Sequence, residues 1–328
     1  MHELRAVDSA EFHVIVDNVT DSLSSVPSFV ETEFAGLARR RGNSWVLGGT
    51  CLCCAAHGLS CLVTVRDGDR AKSFLFDTGP EDRTFEQNVS RLGIDLGVVE
   101  SLVLSHGHWD HGGAMLRALQ LIRDRNGGNE VPYYAHPDMF RTRAIKMPNG
   151  SMRPMDDVPS IDALTAQGAK VINTREPQVM LGGLAYVSGE IPRKTPFERG
   201  LPGQHRKTTD GRGWELDELI MDERFVAVKV KNKGMIIFTA CSHAGIVNVL
   251  EHARSEFNGE RLYAVVGGLH LSGTNERIIP ETVEALGGFD LSVIAAGHCT
   301  GWRALNALAN AFGDGKLVPL AVGKRYTF

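Results

Sequence analysis

The sequence predicts an α/β fold on three observations. The C-terminal third alternates apolar strand-like runs with helix-like segments, over 235–239, 245–255, 262–266, 276–286, 291–295 and 301–312. Such alternation layers helices against a largely parallel sheet. The N-terminal third also holds β-branched runs followed by helical spacings. Finally, 328 residues with 43% hydrophobic and 23% charged side chains are enough for one large layered domain or two medium ones.

In chain order, residues 11–17 (Glu-Phe-His-Val-Ile-Val-Asp) read as the first strand, and 18–44 as a polar loop with a short helix. Residues 45–56 and 59–66 read as a strand pair interrupted at His57-Gly58. A strand over 72–76 ends in the turn signal Asp77-Thr78-Gly79-Pro80, and 81–92 follows as a helix. A buried-type strand over 98–104 runs directly into a histidine cluster. Helical spacing returns at 114–125, where Met115, Leu116, Leu119 and Ile122 share one side, and 131–135 is a strand. Residues 137–230, rich in Pro, Gly, Arg and Met, read as a loop-rich insertion that shapes a substrate pocket. Hairpins are expected around Gly182-Gly183 and near 232–234. The halves 1–135 and 220–328 each combine strands and helices. They are expected to form one sandwich with helices outside, within a single domain over 1–328.

Charge narrows the function classes. A formal net charge of -4 and a pI near 6.3 leave no footprint for nucleic acid or an anionic membrane. No apolar run is long enough to span a bilayer, and residues 1–5 lack the apolar core of a secretory signal. The expected location is the cytoplasm. Cys51, Cys53, Cys54 and Cys61 crowd one apolar stretch that reads as strand; Cys241 and Cys299 lie apart. That crowding in a strand-like stretch fits a reducing compartment, and without paired Cys-x-x-Cys partners the run at 51–54 reads as apolar strand rather than a zinc site. No Walker-type loop or dinucleotide fingerprint is present.

The 12 histidines carry the chemical signal. His106 and His108 are two apart in extended backbone, so their side chains point the same way and two imidazoles can meet one cation. Asp110 and His111 follow at once, and Gly112-Gly113 permits a tight entry into the next helix. A carboxylate and a third imidazole can then face a second cation. Divalent zinc suits this donor set, with manganese and iron as alternatives. The bland reading is a surface histidine turn; three histidines and an aspartate within six residues at a strand end argue against it.

Residues 106–111 match the His-x-His-x-Asp-His signature of the metallo-β-lactamase superfamily. The resemblance implies a four-layer αββα sandwich with two divalent metal ions at one edge, between the sheets. Phe76-Asp77-Thr78-Gly79 resembles the superfamily's Asp-x-Gly turn, and residues 293–298 its late strand ending in Gly-His. A narrower set resembles the subgroup labelled 7,8-dihydropterin-6-methyl-4-(β-D-ribofuranosyl)aminobenzene-5′-phosphate synthase. It comprises His57-Gly58-Leu59-Ser60, Gly189-Glu190-Ile191-Pro192-Arg193, Thr239-Ala240-Cys241-Ser242-His243-Ala244-Gly245, Gly267-Gly268-Leu269-His270-Leu271 and Gly297-His298-Cys299-Thr300-Gly301.

The family pattern implies one further histidine after the sheet crossover, then an acidic or cysteine ligand, then a late histidine. Here the crossover histidine is absent near residue 190. His243, at a Gly-bearing helix entry, is the candidate to replace it, against a capping role. His298 is assigned to the metals. His270 is a ligand or a substrate contact, and Glu190 a weaker candidate for either role. Cys241 lies where relatives often carry a bridging Asp, or is a buried inert thiol. Asp77 is expected to accept the free N–H of a metal-bound imidazole, or to be a plain turn residue. His57 and Trp109 line the pocket or pack. Arg193 and Lys194, or Lys324 and Arg325, would receive a substrate phosphate, or are solvated charge. His136 is expected outside the metal site, and His2, His13, His205 and His252 in surface or packing roles.

The leading functional expectation is a dinuclear metal-dependent hydrolase. A metal-activated hydroxide, oriented or deprotonated by Asp110, would attack a small ester, lactone or phosphoester. A pterin-pathway synthase condensing a dihydropterin with ribofuranosyl-aminobenzene 5′-phosphate is the alternative, and a metal-binding sensor protein the alternative outside enzymes. The expected partner is a small molecule, phosphorylated or pterin-like, with no nucleic acid or membrane; a homo-oligomer is left open.

Overall fold

A computed structural model describes residues 3–42 and 45–328; His2 lies outside them. The first part of the chain forms β1 (Ser9–Val16), β2 (Val30–Glu31), α1 (Glu33–Arg41), β3 (Ser60–Asp67), β4 (Arg70–Phe76), α2 (Asp82–Leu92), β5 (Val99–Val103), α3 (Trp109–Gly112), α4 (Met115–Arg123) and β6 (Val131–Ala135). The middle adds β7 (Arg143–Lys146), β8 (Met152–Pro154), α5 (Ile161–Ala166), β9 (Ala169–Asn173), β10 (Gln178–Met180), β11 (Ala185–Val187), β12 (Gln204–Lys207) and β13 (Trp214–Leu216). The remainder forms β14 (Val226–Val230), β15 (Gly234–Thr239), α6 (Ile246–Glu256), β16 (Leu262–Gly268), α7 (Ile279–Gly287), β17 (Val293–Gly297), α8 (Trp302–Phe312) and β18 (Arg325–Thr327).

Three sheets result: β2-β18-β1-β3-β4-β5-β6-β9, β10-β11-β14-β15-β16-β17, and a small β13-β12-β7-β8. The two large sheets face each other, and the two-residue period of their strands separates three apolar layers. Along β1 and β4, Phe12, Val14, Phe74 and Phe76 point into the space between the sheets. Ile15 and Leu75 point the other way, onto α2 and α4. In the second sheet, Ile236 and Phe238 enter the shared layer, while Met235 and Ile237 face α6 and α8. Phe12 stacks on Phe238 across the layer with ring centroids 5.2 Å apart. The architecture is therefore the four-layer αββα sandwich.

Two readings need correction. Residues 45–56 form no strand; they contain one 3₁₀ turn, Gly49–Cys51, and only Cys61 of the four crowded cysteines sits on a strand. The stretch lacks polar–apolar alternation, and side chains satisfy its backbone instead of a ladder. Glu33 accepts the Cys53 amide and Asn88 the Cys54 amide. The second correction concerns the division into halves. β18, from the end of the chain, pairs antiparallel with both β1 and β2. All six cysteines are free. Among the described residues, no helix is long and apolar enough to cross a membrane.

In the first large sheet β4, β5, β6 and β9 run parallel, and in the second β15, β16 and β17 do. The carboxyl ends of these strands emerge along one rim, where open α/β sheets place ligands.

Candidate metal centre

Each histidine of the cluster leaves the end of a strand. β5 delivers His106, His108 and His111, β15 delivers Cys241 and His243, β16 delivers His270, and β17 delivers His298. Asp77 follows β4 and Asn18 follows β1. Several turns are held in the left-handed region that non-glycine residues rarely adopt: Asp77 at φ 55°, Ser242 at 59°, His270 at 44° and His298 at 48°. Such strain persists where the surroundings over-determine it, and it concentrates at functional sites.

Hydrogen bonds fix the ring tautomers. The Ser105 hydroxyl has one proton, given to Asp77 Oδ2 at 2.7 Å, so at 2.9 Å it accepts from His106 Nδ1. His106 Nε2 therefore presents a lone pair. His108 Nε2 donates to Gln204 Oε1 at 2.6 Å, because Gln204 Nε2 is turned to Asp217. His108 Nδ1 is then also a lone pair, and it lies 3.0 Å from His106 Nε2. Two lone pairs facing at that distance repel unless a cation lies between them.

The neighbouring rings behave alike. His111 Nδ1 donates to Asp77 Oδ2 at 2.7 Å, turning Nε2 to Cys241 Sγ at 3.2 Å and to Asp110 Oδ2 at 3.5 Å. His298 Nδ1 donates to Asn18 Oδ1 at 2.9 Å, and its buried Nε2 has no hydrogen-bond partner. Both ring nitrogens of His243 and Nδ1 of His270 are likewise buried without one. Orphaned buried polar atoms are rare and costly, and here they converge. Donor atoms within 4.8 Å of one another form the groups His106–His108–His243 and Asp110–His111–His298, with Cys241 in a further group with His106 and His111. Imidazole, carboxylate and thiol are the donors that divalent transition metals take, so the residues present fit metal ions.

Burial sets the charge states. It holds the His106 and His243 imidazoles well below their usual range, with neighbouring histidines adding to the effect. It lowers His108 and His298 to about 4. All four are neutral at pH 7. Burial also opposes charge on His111, but Asp110 and Asp77 outweigh it and push that ring up to about 9. Asp110 is held below the usual carboxylate range: burial raises it, and the surrounding imidazoles outweigh burial.

The expected pocket residues divide. His57 is at the mouth, with its side chain 59% exposed and Nε2 3.5 Å from Asp110 Oδ2; Asn18 links it to His298. Trp109 stands beside His57, ring centroids 5.9 Å apart. His270 adjoins His243 at 4.2 Å between centroids. Glu190 is elsewhere, bound to His136 at 3.0 Å and Arg175 at 2.7 Å. The Arg193 guanidinium donates to the carbonyls of Ile191, Leu219 and Ile220, so its donors are spent on the backbone. Lys194 is exposed over α6, beside Asn248 and His252. Lys324 pairs with Asp21 and Arg325 with Glu31. His13, His205 and His252 belong to none of the convergent groups.

Sequence reasoning missed the supports. Asp222 Oδ2 accepts the Gly107 amide at 2.8 Å. Arg143 donates to the Gly107 carbonyl at 2.7 Å and to Asp222 Oδ1 at 2.6 Å. The one residue between His106 and His108 is thus gripped through both its amide and its carbonyl. A side chain at 107 would overlap Arg143 and the Met139 carbonyl, which is why glycine stands there. Glu223 accepts the amides of His243 and Ala244 at 2.7 and 2.5 Å. Arg224 donates to Thr174 and Glu176 carbonyls at 2.6 and 2.9 Å. The visible signal was three consecutive charges, Asp222-Glu223-Arg224, running into an apolar strand; charged residues are almost never fully buried unless paired. Asn18, Arg143 and Gln204 carried no such signal.

No family model matches the chain. The 7,8-dihydropterin-6-methyl-4-(β-D-ribofuranosyl)-aminobenzene-5′-phosphate synthase of Methanocaldococcus jannaschii is 31% identical over 259 residues, covering 78% of this chain and 85% of the relative. An uncharacterised protein of the same organism, MJ0448, is 28% identical over 257 residues, covering 78% and 88%. Among solved structures, Tm1679, described as a metal-dependent hydrolase of the β-lactamase superfamily, superposes with a TM-score of 0.68 at 22% identity, covering 96% of this chain and 98% of that one.

Proposed function

The chain belongs to the metallo-β-lactamase-fold superfamily, in the subgroup of the dihydropterin synthase relative, and from that premise we propose that it is an enzyme holding two divalent cations, zinc first among them, that hydrolyses a small ester, lactone or phosphoester. The observation that carries this reading is the pair of adjacent donor groups, His106–His108–His243 and Asp110–His111–His298. Two cations there would lower the pKa of water between them and polarise an electrophilic oxygen.

The chain's own residues supply the rest. Asp110 Oδ2, 3.5 Å from Nε2 of His57, His111 and His298, orients the attacking water and takes its proton. Exposed His57 relays that proton to solvent. Asp77 holds His111 in the tautomer that ligates, as outer carboxylates do for metal-bound imidazoles. Trp109 and His57 form the wall against which a small substrate rests. The acidic net charge fits a small-molecule partner better than nucleic acid, and six free cysteines fit a reducing, cytoplasmic setting.

The 31% identity to the pterin-pathway enzyme favours a second reading, in which the same centre binds a dihydropterin and joins it to a ribofuranosyl-aminobenzene phosphate. A panel of phosphodiesters, esters, lactones and that substrate pair, each with and without added metal, tests both. Metal-dependent hydrolysis supports the first reading, and a pterin adduct with no hydrolysis replaces it with the second. No turnover on any member rejects both.

A further inference from the structure

The two proposed cation positions do not use every donor on this rim. His243 has two buried ring nitrogens and neither has a hydrogen-bond partner; the group with His106 and His108 requires only one of them. Nδ1 of His270 is buried without a partner as well, and the two rings are 4.2 Å apart between centroids. Cys241 Sγ completes the triangle: it, a His243 nitrogen and a His270 nitrogen lie within 4.8 Å of one another. His270 closes such a group with Cys241 and His243, whereas His243 closes a different one with His106 and His108. Ligands of one tetrahedral ion at about 2.0–2.3 Å sit well inside that spread of each other, and no group holds His270 together with His106 or His108, so one ion does not take both triads.

The backbone is built to hold His270 there. Its φ of 44° is in the left-handed region, and Asn275 Nδ2 donates to its carbonyl at 3.1 Å. His270 is partly buried and its ring also meets the Cys299 thiol, yet its Nδ1 is enclosed without a hydrogen-bond partner and a ring nitrogen lies within 4.8 Å of the Cys241 thiol and the unsatisfied His243 imidazole. A cation satisfies all of them at once.

We infer that Cys241, His243 and His270 form a third cation position beside the proposed pair, selective for a thiophilic ion such as zinc. Sulfur with two imidazole nitrogens is a donor set that favours soft and borderline ions over magnesium or calcium. Binding would deprotonate Cys241 and, because both ring nitrogens of His243 would then ligate, would also remove the one N–H of that imidazole; both protons go to solvent. The inference rests on the dinuclear reading and adds one ion to it.

The test is the number of zinc ions per full-length chain at saturation, counted by native mass spectrometry. Wild-type protein is expected to reach three and His270→Ala two. His270→Asn, which keeps a side chain tolerant of the left-handed backbone, is also expected to reach two, and guards against misfolding of the alanine variant. A wild-type chain that saturates at two overturns this third position and leaves the dinuclear reading intact. Retention of three by a folded His270→Asn protein overturns it too. A wild-type chain that binds no zinc overturns both.

Discussion

The Gly107 amide donates to the Asp222 carboxylate at 2.8 Å, across 115 residues of chain. The same carboxylate holds the Arg143 guanidinium, which in turn grips the Gly107 carbonyl. The spacing of His106 and His108 is therefore set by a buried ion pair, and not by the β5 strand alone.

Asp222→Asn removes one charge from that pair while Arg143 remains buried. Uncompensating a buried guanidinium costs about 3–5 kcal/mol. The lower end is expected, because Asp217 still accepts from Arg143 at 2.9 Å. Denaturant unfolding of the metal-free protein reads this directly, and a loss under about 1 kcal/mol would mean that the clamp is not what stabilises the loop.

His108→Ala deletes one of the two facing lone pairs and should abolish turnover together with at least one bound metal ion per chain. Elemental analysis of the purified variant checks the second half independently of any substrate. Full metal content with full turnover would remove His108 from the site.

Asn18→Ala leaves His298 Nδ1 without its acceptor and frees His57 from its tether. Loss of a partner that orients a ligand weakens metal affinity about 10–100-fold. Because Asn18 contacts His298 of one donor group and no member of the other, competition with a chelator should show one of the two proposed ions leaving more readily and the other unchanged. Equal weakening of both would point to general destabilisation.

Metal uptake should release protons. In the ion-free protein His111 keeps its proton up to about 9, the Asp110 and Asp77 carboxylates outweighing burial, and burial holds the Cys241 thiol above its usual range. Cations must displace both, so at pH 7 about two protons leave per chain, and about one more where both His243 nitrogens ligate. Affinity should rise with pH, more steeply below about 9 than above it, where His111 no longer competes but the Cys241 thiol still does. Calorimetry in two buffers of different ionisation enthalpy measures the number; no net release would exclude His111 and Cys241 as ligands.

The layered fold was legible because strand period and helix spacing persist wherever an element is buried on one side, as along Ile236, Ile237 and Phe238. The cluster at 106–111 was legible because its ligands are neighbours in sequence. Asn18, Arg143 and Gln204 were not, since a single polar residue in a loop announces nothing until tertiary folding brings its partner. Residues 45–56 misled for a related reason: an apolar run can be buried by a loop when side chains such as Glu33 and Asn88 satisfy its backbone. Arg193 looked available for phosphate because composition does not reveal that three carbonyls already occupy its donors.

The place of β18 between β1 and β2 bears on how the molecule is made. Its partners leave the ribosome more than a cycle of strands and helices earlier, and β2 touches the large sheet only through it. Until Arg325–Thr327 are translated, β1 has an open edge, a surface that invites pairing with other nascent chains. The rim that carries the histidine cluster can assemble before that moment; the opposite margin of the same sheet cannot, so chaperone demand should fall on the interval between the two.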